Sequence, residues 1–283
     1  MTIIDALRAL TRGERERARE VAAAGSGELD RALAAYLGSD ADGTVYDQPA
    51  AFTAFIDGGG NVGLYKAVTR ALARIYDEER PVRVLDVGCG DGRALVPSLV
   101  KAEHPPRHVT VVDPSEALLS GAVKALEGVK NLAVDARNTR VEEFLARDDS
   151  RFDVAQSTFA LHAIPHEERD GVLAGLAPRV KSLAVVEFDV PDLDDEERLE
   201  FLAETYERGL AEYDEDRELV AQGFLMPVLT GQLLPGAKRS TWEQPATSWA
   251  AQVGRAGFGD VRLTPLFDYW SSPAFLLTAS GTA

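Results

Sequence analysis

The stretch of this chain best equipped for chemistry is Val84-Leu85-Asp86-Val87-Gly88-Cys89-Gly90-Asp91-Gly92. Three alternating glycines follow a short apolar run. Glycine lets the backbone turn sharply and lets a ligand approach without a Cβ in the way. Where such a loop opens a helix, the unpaired N–H groups of the first turn favour a carboxylate or another anion. Asp86, just before the loop, suits a ligand that carries an ammonium group. Asp113, at the end of the next apolar run, is placed to accept hydrogen bonds from both hydroxyls of a ribose. Glycine spacing separates two readings. A dinucleotide fingerprint, Gly-x-Gly-x-x-Gly, requires glycine at position 93, where this chain has Arg93. A nicotinamide-dependent oxidoreductase is therefore disfavoured.

Other reactive side chains fall at the ends of later apolar runs. His162 follows the fourth run, and its ordinary pKa near neutrality makes it the first candidate for a general base. Its bland alternative is a ring that packs beside the loop or caps the next helix. Glu187 and Asp189 end the fifth run, where they face an acceptor or simply serve as structural hydrogen-bond partners. Glu243 lies in a loop-like setting beside Pro245, as Tyr46 does beside Pro49, and both are candidates to contact ligand. His166 is expected to begin a helix and face solvent. The acids Asp192, Asp194 and Asp195 match no metal-loop spacing, so no metal is expected. Cys89, the only cysteine, reads as a small residue fitting a tight turn; it permits no intramolecular disulfide and suits a reducing compartment.

These residues must be held by regular elements, and the pattern supplies them. Short apolar runs at Val82–Val87, Val109–Val112, Leu132–Val134, Phe152–Ser157 and Leu183–Phe188 alternate with helical stretches at Arg93–Lys101, Ser115–Leu126, Val141–Leu145 and His166–Leu176. Strands alternating with helices at this spacing make βαβ units and a parallel sheet. Two last strands, Asp260–Leu266 and Phe275–Ala279, leave no room for a helix between them and should pair antiparallel. Before the sheet, residues 1–40 read as helices broken at Gly25–Gly27. Pro49 starts another, Gly58–Gly60 stops it, and Asn61 caps a helix over Val62–Tyr76. The division expected is an N-terminal helical region, 1–78, and a sheet domain, 79–283. The rhythm breaks at about 192–244, which reads as a helical insertion between strands 5 and 6.

The run LDVGCGDG, Leu85 to Gly92, resembles motif I of class I S-adenosylmethionine (SAM)-dependent methyltransferases, and the likeness extends from Val82 to Phe188. That resemblance implies a Rossmann-like α/β fold with a seven-stranded, mostly parallel sheet in the order 3-2-1-4-5-7-6. It implies SAM as cofactor, with Asp86, Gly88 and Gly90 at its methionyl end, Asp113 on the ribose and Pro114 beside adenine. Asp135 and Ala136 match the family's Asp-Ala near the adenine amine, although Arg137–Arg140 departs from its pattern. Ser157 and the segment Leu161–Pro165 resemble the pocket lining after strand 4. Tyr46 and Tyr65 belong to the helices that act as a lid over SAM in relatives. The acceptor implied is a small molecule, as in bacterial secondary metabolism, with O, N or C open. A SAM-binding module without catalytic activity is the rival reading.

Composition narrows the partners. The 283 residues are 45% hydrophobic, enough for a full core, and carry a net charge of −16. Such a surface repels phosphate backbones and anionic membranes, so neither nucleic acid nor a membrane is an expected partner. No apolar run approaches the roughly 20 residues a bilayer span needs, and the N-terminus lacks the apolar centre of a secretory signal. A cytoplasmic location is the expectation.

Overall fold

The computed structural model describes residues 2–39, 49–236 and 240–283. In chain order the helices are α1 (Ile3–Thr11), α2 (Arg15–Ala23), α3 (Glu28–Gly38), α4 (Pro49–Asp57) and α5 (Gly59–Glu79). Then come β1 (Arg83–Val87), α6 (Leu95–Lys101), β2 (His108–Val112), α7 (Glu116–Leu126), β3 (Ala133–Arg137), α8 (Val141–Arg147), β4 (Phe152–Thr158), α9 (His166–Leu176) and β5 (Val180–Phe188). The chain closes with α10 (Asp195–Ala211), α11 (Arg217–Val220), α12 (Met226–Leu233), α13 (Ala246–Arg255), β6 (Gly259–Phe267) and β7 (Ala274–Ser280). Two compact units are formed from these elements.

The larger unit comprises Leu64–Pro191, Thr241–Asp268 and Pro273–Ala283. Its seven strands lie in the order β3-β2-β1-β4-β5-β7-β6, as the family likeness implied. The first five strands are parallel, and β7 is antiparallel to both β5 and β6. Both faces of the central strands are covered, which is why their sequences read as apolar runs and not as alternation. Leu85, Val87, Ala155, Leu183 and Val185 pack on Val172, Leu173 and Leu176 of α9 and on Trp249 and Val253 of α13. On the opposite face Val84, Val111, Val154 and Val186 meet Val68, Leu72, Ile75 and Tyr76 of α5, together with α6 and α7. The positions 68, 72, 75 and 76 form one helical stripe.

The smaller unit comprises Met1–Gly63, Asp192–Ser240 and Tyr269–Ser272. Leu7, Leu10, Leu29 and Leu33 of its early helices share one core with Leu202, Tyr206 and Leu229 of the mid-chain insertion. Asp194 starts α10 by accepting from Glu196 N and Glu197 N, while Glu197 accepts from Asp194 N, a reciprocal cap that the sequence Asp-Asp-Glu-Glu supplies. The glycine run and Asn61 differ from expectation. α5 already begins at Gly59, and Asn61 is a buried residue of its first turn rather than a cap. Its Nδ2 donates to the Phe55 carbonyl at 2.9 Å, and the Tyr269 hydroxyl donates to its Oδ1 at 3.0 Å. A side chain this well satisfied inside the core costs little. Among the described residues, no helix is long and apolar enough to cross a membrane.

Candidate functional site

The glycine loop sits at the carboxyl end of β1, between parallel partners β2 and β4. That edge of an open α/β sheet is where ligands bind. Gly88 N–H donates to Val112 O at 2.8 Å, which ties the loop to the tip of β2. Gly88, Gly90 and Gly92 have φ of +68°, +54° and +80°, the left-handed region that favours glycine. The first two are held differently. A Cβ on Gly88 would lie 2.4 Å from the Ala160 methyl, whereas a Cβ on Gly90 would meet nothing within 4 Å. Gly88 is therefore a close-packing glycine, and Gly90 opens onto free space.

Two carboxylates lie close to the loop, Asp86 within β1 and Asp113 after β2, and both act on its Cys89. Asp113 follows β2, is buried, and accepts from Gly90 N at 2.9 Å through Oδ2 and from Ser115 N at 2.8 Å through Oδ1. Each oxygen keeps a lone pair for a further donor. Asp86 is 3% exposed. Burial pushes its pKa up to about 7, the Gln156 amide opposes that, and the charge of Asp113 adds to it. Burial, Gln156 and Asp113 set that value, and a buried acid poised near neutrality is matched to a ligand that brings a cation. Cys89 is buried, and burial raises its thiol well above the ordinary value, which leaves it inert.

The chain leaves β4 through a strained turn. Phe159 has φ +51°, rare for a bulky residue. Its N–H donates to Val186 O, and its ring stacks on Phe188 at 4.5 Å. Tyr65 of α5 stands edge-on to Phe159 at 6.2 Å, with the Arg93 guanidinium 6.0 Å from its ring. Burial raises the Tyr65 hydroxyl to about 12, so it stays protonated as a donor. Ser157, expected at the pocket wall, spends its hydroxyl on Val87 O at 2.9 Å and fastens β4 to the tip of β1.

The adenine-side assignments divide. Pro114 is exposed beside Asp113, and Asn138 Nδ2 donates to the carbonyls of both at 3.1 Å. Asp135 and Ala136 do not end their strand, because β3 runs on to Arg137. Asp135 lies opposite Thr110, level with the middle of β2, and its carboxylate pairs with Arg137 at 2.9 Å. Arg137 and Asn138 instead hold the edge level with Asp113. Tyr46 lies outside the described residues.

The three catalytic candidates come together. Thr158 of β4 pairs with Val186 of β5, so the segment after β4 runs beside Glu187. Glu187 is 1% exposed and grips His162 twice, accepting from its backbone N at 3.1 Å and bonding Nδ1 at 2.7 Å. Trp242 N–H donates to His162 O, which brings the neighbouring Glu243 charge to bear on the ring. Asp189 instead accepts from Ala246 N at the start of α13. His166 begins α9 as expected, but it is half-buried, with Nε2 3.1 Å from Trp242 O.

Sequence reasoning missed Arg169. It is fully buried, its guanidinium lies 3.9 Å over the Trp249 ring, and it donates to Leu161 O, Trp242 O and Gln252 Oε1. Burial lowers its pKa to about 10 against the opposing charges of Glu187, Asp170 and Glu243. The signal was available. Arg169 shares the helical spacing of Val172, Leu173 and Leu176, which places a cation on an apolar stripe.

Residues 84–182 match the family model of a methyltransferase domain. None of the curated proteins searched matches the sequence. Among solved structures, magnesium protoporphyrin IX methyltransferase from Synechocystis PCC 6803, with bound S-adenosylhomocysteine (SAH), is 18% identical. That alignment covers 83% of this chain and 96% of the other, with a TM-score of 0.54. A possible exported protein from Bordetella parapertussis is 14% identical, covering 100% and 98% with a TM-score of 0.59. A putative O-methyltransferase from Nostoc punctiforme PCC 73102 is 14% identical, covering 98% and 72% with a TM-score of 0.52. At these identities the likeness is one of fold.

Proposed function

We propose that this chain, whose residues 84–182 match the family model of a methyltransferase domain, is a SAM-dependent methyltransferase that methylates a nucleophilic atom of a small molecule, an intermediate of natural-product assembly. The carrying observation is the open space at Gly90, whose N–H donates to Asp113, on a loop that also lies within the field of Asp86. Those residues fit SAM: a buried acid for its ammonium, a carboxylate with free lone pairs for its ribose, and bare backbone at Gly90. Asp135 and Ser157 are set aside from this contact set, and Tyr65 and Pro114 are kept in it.

When bound, SAM supplies a methyl group made electrophilic by its sulfonium. The residues of this chain then orient and shield. Asp113 fixes one end through a loop that it also hydrogen-bonds, and ionised Asp86 fixes the other. Phe159 and Phe188, stacked at 4.5 Å, form an apolar wall near the tips of β4 and β5. Orientation of this kind supplies about 7–11 kcal/mol in favourable cases. The net charge of −16 weighs against a polyanionic acceptor and favours a small one in the cytoplasm. Calorimetry with SAM, SAH and NAD, followed by detection of SAH release over a panel of hydroxyl, amine and carbon acceptors, tests the reading. Binding of SAM and SAH but not NAD, with SAH release on one acceptor, is expected. Binding of NAD alone would sink it.

A further inference from the structure

We propose that the free edge of β3 is a self-association surface, on which a second copy of this chain adds its own β3 antiparallel, with Ala136 opposite Ala136. This interface is independent of what the glycine loop binds. β3 (Ala133–Arg137) is an end strand of the sheet, and all five of its residues are exposed. Its register on β2 runs without a break from Ala133 to Arg137, and it holds no proline. Ala133 N donates to Arg107 O at 2.8 Å, and Arg137 O accepts from Asp113 N at 3.2 Å. Residues whose backbone groups bond the neighbouring strand alternate with residues whose groups point away from it, so Val134 and Ala136 direct their N–H and C=O groups out of the sheet. A flat, open edge of this kind is a template for another strand, and charge is the usual guard against it. Here the two charges, on Asp135 and Arg137, have opposite signs and lie on one face of the strand. That arrangement repels a copy in one register and matches it in another.

Backbone bonding requires an outward residue to face an outward residue across the two-fold axis. With Val134 opposite Ala136, Asp135 faces Asp135 of the copy, and like charges directly opposite are destabilising. With Val134 opposite itself, Asp135 faces Ala133 and Arg137 lies past the end of the copy's strand. With Ala136 opposite itself, Asp135 faces Arg137 and Arg137 faces Asp135. Both pairs then stand at positions without backbone bonds, where antiparallel side chains come closest. The half-exposed pair that Asp135 and Arg137 make within one chain, at 2.9 Å, is exchanged for two pairs across the junction. The same axis runs past α7. Ala136 lines a groove with Glu116, Ser120, Val123 and Lys124 of that helix. A two-fold at Ala136 lays the two α7 helices antiparallel on one face of the joined sheet. Glu116 and Lys124, about two turns apart on the helix, then set opposite charges against each other across the axis. A surface that complements itself in this way is what a closed two-fold dimer requires.

Sedimentation of the full chain measures the association. It is run near physiological ionic strength, where the Debye length of about 8 Å screens the net charge of −16 on each copy at long range. A dimer is expected. Asp135→Arg sets arginine against arginine at both pairs, and Arg137→Asp sets aspartate against aspartate. Each change should weaken dimerisation by about tenfold to a hundredfold. Mixed together, the two variants meet with opposite charges at both pairs and should form a one-to-one heterodimer about as tight as the wild-type dimer. Ala136→Cys supplies a second readout. Cys89 is buried, so a short bismaleimide reaches the new thiol and should join two copies. Val100→Cys, exposed on α6, should stay unjoined. A chain that remains monomeric up to its highest soluble concentration overturns the proposal. A dimer that neither charge variant weakens does the same, and so does a mixture of the two variants that stays monomeric. Loss of SAM binding would leave this interface standing, and a monomeric chain would leave the cofactor reading standing.

Discussion

Asp86→Asn should make the ligand-free protein more stable while destroying its grip on SAM. The folded carboxyl has a pKa of about 7 against an ordinary 3.8, with burial as the first cause. Between those values the native state holds a proton that the unfolded chain has released. Stability therefore falls as pH rises from about 4 to about 7, and the loss is constant above that. The gap, 7 − 3.8 = 3.2 units, is worth about 4 kcal/mol at 1.36 kcal/mol per unit. Urea unfolding of the ligand-free wild type and variant, from pH 5 to 8.5, measures the difference. The variant should gain steadily up to about pH 7 and hold its advantage beyond. Parallel curves would refute the reasoning, because they would mean that the carboxylate is as comfortable folded as unfolded. SAM affinity supplies the second half. Binding an ammonium requires the ionised acid, so wild-type affinity should drop about tenfold per pH unit below 7. It should drop again above roughly 8, where an α-amino group loses its own proton. In the variant affinity is lower throughout, and the acidic limb disappears.

Perturbations at four further positions separate binding from folding. Gly90→Ala adds a methyl to open space at φ +54°, so it should cost only about 1–2 kcal/mol in stability yet block SAM in calorimetry. Gly88→Ala drives a methyl to 2.4 Å from Ala160 and should lower the melting temperature well beyond the Gly90 change; equal melting of the two would contradict the packing role of Gly88. Asp113→Asn replaces a charged acceptor by an amide and should weaken SAM and SAH alike by about tenfold to a hundredfold, the worth of a hydrogen bond to a charged group. Arg169→Met leaves the carbonyls of Leu161 and Trp242 without their donor and should destabilise by about 2–4 kcal/mol. Arg169→Lys should not restore it, since an ammonium lacks the planar fork and the stacking on Trp249.

What the sequence made legible, and what it hid, follows from where each signal is written. The central strands were readable because both faces are buried, which leaves apolar runs such as Val84–Val87. The edge strand was not. All five residues of β3, Ala133–Arg137, are exposed, so no apolar boundary marks its end, and the Asp135-Ala136 pair was placed two residues too near the tip. Asn61 after three glycines has the local grammar of a cap, and only Tyr213 and Tyr269, far along the chain, convert it into a buried bonding residue. Local chemistry was enough to single out Asp86 and Asp113, because a loop and the strand tip beside it lie within one βαβ unit. It was not enough for the pairing of His162 with Glu187. His162 and Glu187 stood in the sequence as separate candidates, each with a bland alternative. The parallel register of β4 on β5 makes each the other's partner. The glutamate holds the histidine at two points, its backbone N–H at 3.1 Å and Nδ1 at 2.7 Å. Without Glu187 the His162 ring would lose its bonded partner, and without His162 the buried Glu187 would lose one of the groups, Arg169 being another, that offset its desolvation.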